Sequence, residues 1–209
     1  ERRAARLERA AQQAELRSLR YQVNPHFLFN TLNSLSSLVM KDRRDEAERM
    51  ILSLSNFYRT SLTGDPLDDV PLEEAVHLQT LYLEIEAVRF PDRLSTRIAI
   101  PDALLDACVP GLILQPLVEN AIKYGVSRTS SPVCITIAAR EEDDMLHLEV
   151  SDDGDQPPGP ADGGSGIGLA NVRDRLHARF GEAGAMDYGP RAGGGFAVRL
   201  TLPILRRSC

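Results

Sequence analysis

Tyr21-Gln22-Val23-Asn24-Pro25-His26-Phe27-Leu28-Phe29-Asn30-Thr31-Leu32-Asn33 sets a histidine directly after a proline, inside what otherwise reads as helix. At about 100° per residue, His26, Asn30, Asn33 and Ser37 fall on one line of the helical wheel. Leu28, Leu32, Leu35 and Val39 fall on the opposite side, at i, i+4, i+7, i+11 spacing. Phe27, Phe29 and Leu38 widen the apolar surface, so His26 heads the one polar stripe of a greasy helix. A lone histidine on such a stripe is ordinarily a solvated surface residue. Pro25 alters that weighing, because it removes a backbone N–H and pushes Asn24 away from helical angles. A kink beside a histidine re-aims its side chain, a cost usually kept for a reason.

Working outward, residues 1–20 are rich in Arg, Ala, Gln and Leu and read as helix, with a short stripe at Leu16, Leu19 and Val23. This helix is expected to pass through the Pro25 kink to about Met40. After the polar turn Lys41-Asp42-Arg43-Arg44, Asp45 with Glu48 forms a weak capping box. Met50/Ile51, Leu54 and Phe57/Tyr58 follow at helical spacing. Residues 1–62 therefore read as a helical hairpin whose apolar faces are too broad for two helices to cover, which points to self-association as a four-helix bundle.

Thr63-Gly64-Asp65-Pro66-Leu67-Asp68-Asp69-Val70-Pro71 is a Gly-, Pro- and acid-rich linker, leaving residues 72–209 as a second domain. There the period changes. A helix is expected from Pro71 to about Phe90, a strand over 95–100, a helix over 112–125, two strands over 133–139 and 145–151 joined by an acidic turn, a Gly/Pro-rich loop over 153–166, a helix over about 167–180, and two closing strands. Helices and antiparallel-looking hairpins without strict alternation predict an α+β fold, a sheet covered on one face by helices.

The chain has 209 residues and a net charge of −6, which argues against a nucleic-acid binder as a whole. Residues 1–20 carry six Arg against three Glu. That basic start suits a segment just inside a membrane, and the chain begins with Glu1 rather than Met, as an excised piece does. No apolar run reaches the length of a membrane helix. Cys108, Cys134 and Cys209 are odd in number and widely spaced. They suggest neither a zinc site nor a disulfide framework, and a reducing compartment is expected.

Three segments of the second domain carry chemistry. In Glu119-Asn120-Ala121-Ile122-Lys123-Tyr124-Gly125, Glu119 and Lys123 could form a plain i, i+4 surface pair worth a few tenths of a kcal/mol. Alternatively, Asn120 gives an oxygen to Mg²⁺ and Lys123 meets phosphate. Asp152-Asp153-Gly154 ends a strand, where a carboxylate can accept a hydrogen bond from the exocyclic amine of a base. Gly164-Ser165-Gly166-Ile167-Gly168-Leu169 opens a helix whose bare N–H groups suit phosphate, although it does not follow a strand as a Rossmann or P-loop motif would.

In this order the segments resemble the LytS-like bacterial sensor histidine kinases. The match rests on residues 22–33, on Tyr82-Leu83-Glu84-Ile85-Glu86 with Arg89-Phe90, on residues 114–123, and on residues 166–176. It covers the chain from about residue 16 to 203. The resemblance implies a dimeric histidine-bearing helical domain followed by an ATP-binding domain of the gyrase and Hsp90 (Bergerat) type. It implies that His26 takes the γ-phosphoryl of ATP, with Asn30 and Glu119 as further catalytic candidates. It also implies that Asn120 holds Mg²⁺, that Asp152 reads adenine beside Gly154, and that Lys123, Tyr124, Gly166, Gly168 and Leu169 lie along the nucleotide. Phosphate would then pass to an aspartate of a response regulator, typically with a LytTR-type domain. The protein would be the cytoplasmic part of an inner-membrane sensor. A neutral imidazole is a good nucleophile near neutral pH, and phosphoryl transfer needs mainly positioning and charge neutralisation.

The sequence departs from the family at several points. Phe27 stands where many other histidine kinases place an acid, Asp153 replaces asparagine, and Asp155-Gln156-Pro157-Pro158 replaces an expected glycine turn. Tyr124 and Phe196 stand where histidine and threonine are common. The altered turn is the support for a non-enzymatic alternative, a nucleotide-binding dimer scaffold.

Overall fold

The computed structural model describes residues 24–63, 65, 68–155, 167–206 and 209. The Leu16, Leu19 and Val23 stripe, Gly164, Gly166 and the turn at residues 156–158 lie outside the described residues. The chain divides into two compact units, Glu1–Thr63 and Gly64–Cys209.

In the first unit, α1 (Pro25–Met40) and α2 (Arg44–Thr63) form the hairpin. Among the described residues the helix opens at Pro25, and the helical stretch expected before Asn24 lies outside them. Asn24 is the N-cap, with φ −67° and ψ 103°, and its side chain accepts from the Phe27 N–H. Proline at the first helical position gives up an N–H that has no intrahelical partner anyway, and an Asn cap is worth about 1 kcal/mol. The helix stops in a Schellman turn. Asp42 takes φ 56°, Asp42 N donates to Val39 O, and Arg43 N donates to Leu38 O. α2 then starts at Arg44, so Asp45 and Glu46 lie in its first turn, where they favour the helix dipole, and Asp45 is not the cap.

The stripe buried within this hairpin is Phe27, Thr31 and Leu38, packed with Ala47, Met50, Phe57 and Ser61 of α2. Phe27 and Phe57 meet edge-on at 5.4 Å. That line is rotated by one residue from the expected Leu28/Leu32/Leu35/Val39 face. Thr31 is tolerated inside because its hydroxyl donates to Phe27 O at 2.8 Å. Leu32 and Val39, with Phe29 and Met40, are left exposed.

The second unit runs β1 (Asp69–Pro71), α3 (Leu72–Arg89), β2 (Leu94–Ala99), β3 (Cys108–Pro110), α4 (Gln115–Asn120), a π-helical turn Ala121–Val126, β4 (Val133–Glu142), β5 (Met145–Asp152), α5 (Ile167–Phe180), β6 (Ala185–Pro190) and β7 (Phe196–Pro203). Five strands form one sheet in the order β2-β4-β5-β7-β6. Alternation along β4, β5 and β7 turns Val133, Ile135, Ile137, Leu146, Leu148, Val150, Val198, Leu200 and Leu202 inward, all buried. β4 and β5 form a hairpin closed by Asp143 and Asp144, with φ 53° and 60°, the positive-φ pair that matches strand twist.

Three features depart from the sequence reading. β2 pairs parallel with β4, Thr96 opposite Ile135, because the connection between them carries α4. Asp69–Pro71, read as linker, pairs antiparallel with Cys108–Pro110 as a two-stranded ribbon. Cys108 and Cys209 are joined by a disulfide, with Cα atoms 6.0 Å apart and a sequence separation of 101. Cys134 is free. No helix among the described residues is long and apolar enough to cross a membrane.

Candidate active site

His26 is the second residue of α1, and its side chain is exposed. The Asn30 amide nitrogen, one turn on, lies 3.2 Å from each imidazole nitrogen. That amide donates to whichever ring nitrogen carries no proton, and so biases the ring's orientation. The wheel had put Asn30 behind His26. The helix start at Pro25 explains why the pair is presented at an end, in the open, rather than mid-helix.

The second group of candidates gathers in the other unit, around Asp152, the last residue of β5. Asp152 is 4% exposed. Its Oδ1 accepts from the Gly154 N–H at 3.1 Å. Burial raises its pKa above the usual aspartate value, opposed by backbone hydrogen bonds from Gly154 and Phe196. Three glycines wall it in. A Cβ on Gly125 would stand 2.7 Å from Asp152 Cγ, one on Gly195 would stand 1.9 Å from Asp152 O, and one on Gly154 would stand 3.0 Å from Gly125 O. Gly195 also holds φ 82°. Gly125 and Gly195 were not among the site residues read from sequence, although the Gly193–Gly195 run was a signal for a close approach. Arg191 Nη1 caps the Asp152 carbonyl at 3.1 Å. Asp153, read as extra negative charge toward a nucleotide, instead accepts the Cys134 N–H at 2.6 Å.

The π turn brings Gly125 here. Asn120 ends α4, the next six residues are π-helical, and Ser127 N closes the segment on Ile122 O at 2.9 Å. Widened turns of this kind often mark functional sites. Arg93 ties down the far end through Val126 O, at 2.6 Å, and Thr129 O. Lys123 Nζ and Arg128 Cζ lie 4.9 Å and 4.8 Å from the Tyr124 ring centroid. Glu119 accepts from Gln115 Nε2 at 3.0 Å. Beneath it, Glu86 is 1% exposed, paired with Arg89 at 2.7 Å and raised in pKa by burial. Tyr82 is raised by its own burial and by the Glu86 and Glu119 carboxylates. Tyr82 and Glu86 therefore belong to the buried interior near Glu119 rather than to a contact surface. Gly168 and Leu169 lie in the first turn of α5, where a Cβ on Gly168 would meet Pro116 at 3.6 Å.

Bare backbone thus surrounds one buried carboxylate at the end of β5. Gly125→Ala is expected to push Asp152 aside and weaken ATP binding about tenfold or more, since the new methyl meets a buried carboxylate rather than a flexible side-chain end. Calorimetric titration checks it; unchanged affinity would mean that nucleotide does not use this wall.

Two family models match. The histidine kinase model covers residues 14–94, and the model of histidine kinase-, DNA gyrase B-, and HSP90-like ATPases covers residues 110–206. Among curated relatives, the sensor histidine kinase BtsS of Escherichia coli K12 is 40% identical over 177 residues, covering 85% of this chain and 30% of the relative. The sensor protein LytS of Oceanobacillus iheyensis is 37% identical over 193 residues, covering 86% of this chain and 33% of the relative. This chain belongs to the LytS-like sensor histidine kinases. It spans about a third of the length of those relatives. In fold, it is similar to the histidine kinase domain of the Erythrobacter litoralis blue-light activated histidine kinase, with a TM-score of 0.52 at 17% identity and 94% of each chain covered. The catalytic domain of the histidine kinase ThkA matches 65% of this chain, with a TM-score of 0.51 at 16% identity.

Proposed function

We propose that this LytS-like chain is the kinase core of a two-component sensor, in which ATP phosphorylates His26 and the phosphoryl group then passes to an aspartate of a response regulator. The observation that carries this reading is the buried Asp152 carboxylate inside its glycine wall, in a chain that also presents an exposed histidine at a helix start. Asp152 accepts from the 6-amino group of adenine, with Gly154, Gly125 and Gly195 giving the base room. Asn120, half-buried as the last residue of α4, would offer its carboxamide oxygen to Mg²⁺, a donor of the hard type this ion takes, and the bound ion would supply neutralisation of phosphate charge. Lys123, Tyr124, Gly168 and Leu169 line the phosphate side.

In the transfer, an unprotonated His26 nitrogen attacks the γ-phosphorus, the bond to the bridging oxygen breaks, and ADP leaves. Asn30 orients the ring beforehand and must release the unprotonated nitrogen for the attack, and Glu119 is a candidate to take the ring proton. Incubation with γ-labelled ATP tests the whole reading. Label is expected in the protein in an acid-labile, base-stable form; failure to incorporate label while ATP still binds would favour a non-enzymatic scaffold. The response regulator is expected to be of the LytTR type, and the chain to be the cytoplasmic part of a membrane-anchored sensor.

We further propose that the active form is a homodimer built on residues 1–62. Phe29, Leu32, Val39, Ile51 and Leu62 are all more than 45% exposed in the lone hairpin. A second copy covers them in a four-helix bundle, whereas water would not tolerate so broad an apolar surface. Light scattering at micromolar concentration should give twice the 23.0 kDa chain mass. A folded monomer would refute the dimer.

A further inference from the structure

The end of this chain turns back onto the fold. After β7, Ile204 N donates to Asp144 O at 3.1 Å, and Leu205 O accepts from Cys108 N at 2.8 Å. Arg206 reaches Glu141 at 2.8 Å. Cys209 then bonds Cys108. Cys108 is 4% exposed on β3, whereas Cys209 is exposed. Just past β3, Gly111 O accepts from Arg175 of α5, and α4 begins at Gln115. The bridge therefore fastens the tail to the strand that leads, past Gly111 held by Arg175 of α5, into α4.

An ATP-dependent kinase core works where ATP is, in a compartment whose thiols are kept reduced. Disulfides there are mostly transient, catalytic or redox-sensing rather than structural staples. We propose that Cys108 and Cys209 form a reversible redox clasp, closed by exchange with an oxidised low-molecular-weight thiol, that pins the tail onto β3 and stiffens the approach to the nucleotide cradle. Its functional half rests on the nucleotide reading above.

The exchange balances without any further oxidant. The exposed Cys209 thiolate attacks one sulfur of glutathione disulfide, one glutathione leaves as thiolate, and a mixed disulfide remains. Cys108 then attacks the Cys209 sulfur, and the second glutathione leaves. Two protein thiols are oxidised, one glutathione disulfide is reduced to two thiols, and the two protons pass to the departing glutathiones. Reduced glutathione reverses both steps and opens the clasp. A closed clasp leaves less of β3 and α4 to be ordered when nucleotide binds, so the oxidised form should bind ATP more tightly.

The test equilibrates the 209-residue chain in glutathione buffers of graded redox ratio, quenches with acid, alkylates, and reads intact and peptide masses. Melting curves and ATP titrations are run in the same buffers. The Cys108–Cys209 bridge should pass from open to closed across the series. The melting midpoint should rise by several degrees with closure, and ATP affinity should rise several-fold. Cys209→Ser should melt at the open midpoint in every buffer, and Cys134→Ser should titrate like the wild type. A bridge that survives the most reducing ratio, one that never forms in glutathione disulfide alone, or equal ATP affinity in both forms overturns the clasp. Absence of ATP binding in both forms would instead strike the nucleotide reading, and the mass and melting data would then decide the clasp by themselves.

Discussion

Labelled phosphate is expected to enter the wild-type chain and to fail to enter His26→Gln, with ATP affinity staying within about twofold. This is the largest effect expected, because the substitution removes the proposed nucleophile and leaves the amide of glutamine, which does not attack phosphorus. The separation of effects follows from chain organisation. His26 belongs to the unit Glu1–Thr63, and Asp152, Asn120 and the three glycines belong to Gly64–Cys209. Asn30→Ala offers a graded companion. It keeps the nucleophile and removes the amide 3.2 Å from the ring, so the transfer rate should fall while labelling persists. Acid-labile label retained on His26→Gln would move the phosphoacceptor to another residue, with His77, His147 and His177 the remaining histidines.

Asp152→Ala should weaken ATP binding about ten- to a hundredfold and GTP binding far less, the loss of a charge-assisted hydrogen bond being about 1.5–3 kcal/mol. Adenine offers a 6-amino donor to this carboxylate, whereas guanine presents a carbonyl oxygen there and is repelled. Removing the carboxylate should therefore cost ATP far more than GTP. Asn120→Ala acts differently. It should harm every triphosphate alike, and only when Mg²⁺ is present. Titration calorimetry with ATP and GTP, each with and without Mg²⁺, separates the two. If Asp152→Ala leaves the ATP-to-GTP preference unchanged, Asp152 is an ordinary buried turn residue and the base is read elsewhere.

Periodicity found most of the elements in this chain, and failed where the deciding interaction was local or distant. Asn24-Pro25 carries a cap-and-first-turn signature, but a proline inside an apolar, helix-rich run read as a kink. The cap shows itself only in the Asn24 contact with Phe27 N. The buried stripe of α1 was misplaced by one residue because Thr31 counts as polar on a wheel, while in place its hydroxyl is satisfied by Phe27 O. The β1–β3 ribbon is three residues a side, too short for alternation to register. The Cys108–Cys209 bridge spans 101 residues, a separation no spacing rule addresses. The strand end at Asp152 was legible because a carboxylate before glycine is a local pattern, whereas the close approach of Gly125 and Gly195 to it appears only once the chain is folded.

The strand order holds a consequence for folding kinetics. β4, β5, β6 and β7 join through antiparallel neighbours, and β4–β5 closes on a two-residue turn, an early and inexpensive contact. β2 joins last in this scheme, since its parallel register with β4 must wait for the α4 crossover. It also remains an edge, with Ser95 to Ala99 exposed. Amide exchange should therefore be slowest in β5, held on both sides, and fastest among the strands of the sheet in β2. Asp152 thus stands on the most persistent strand, with β4 between it and the edge where local unfolding begins.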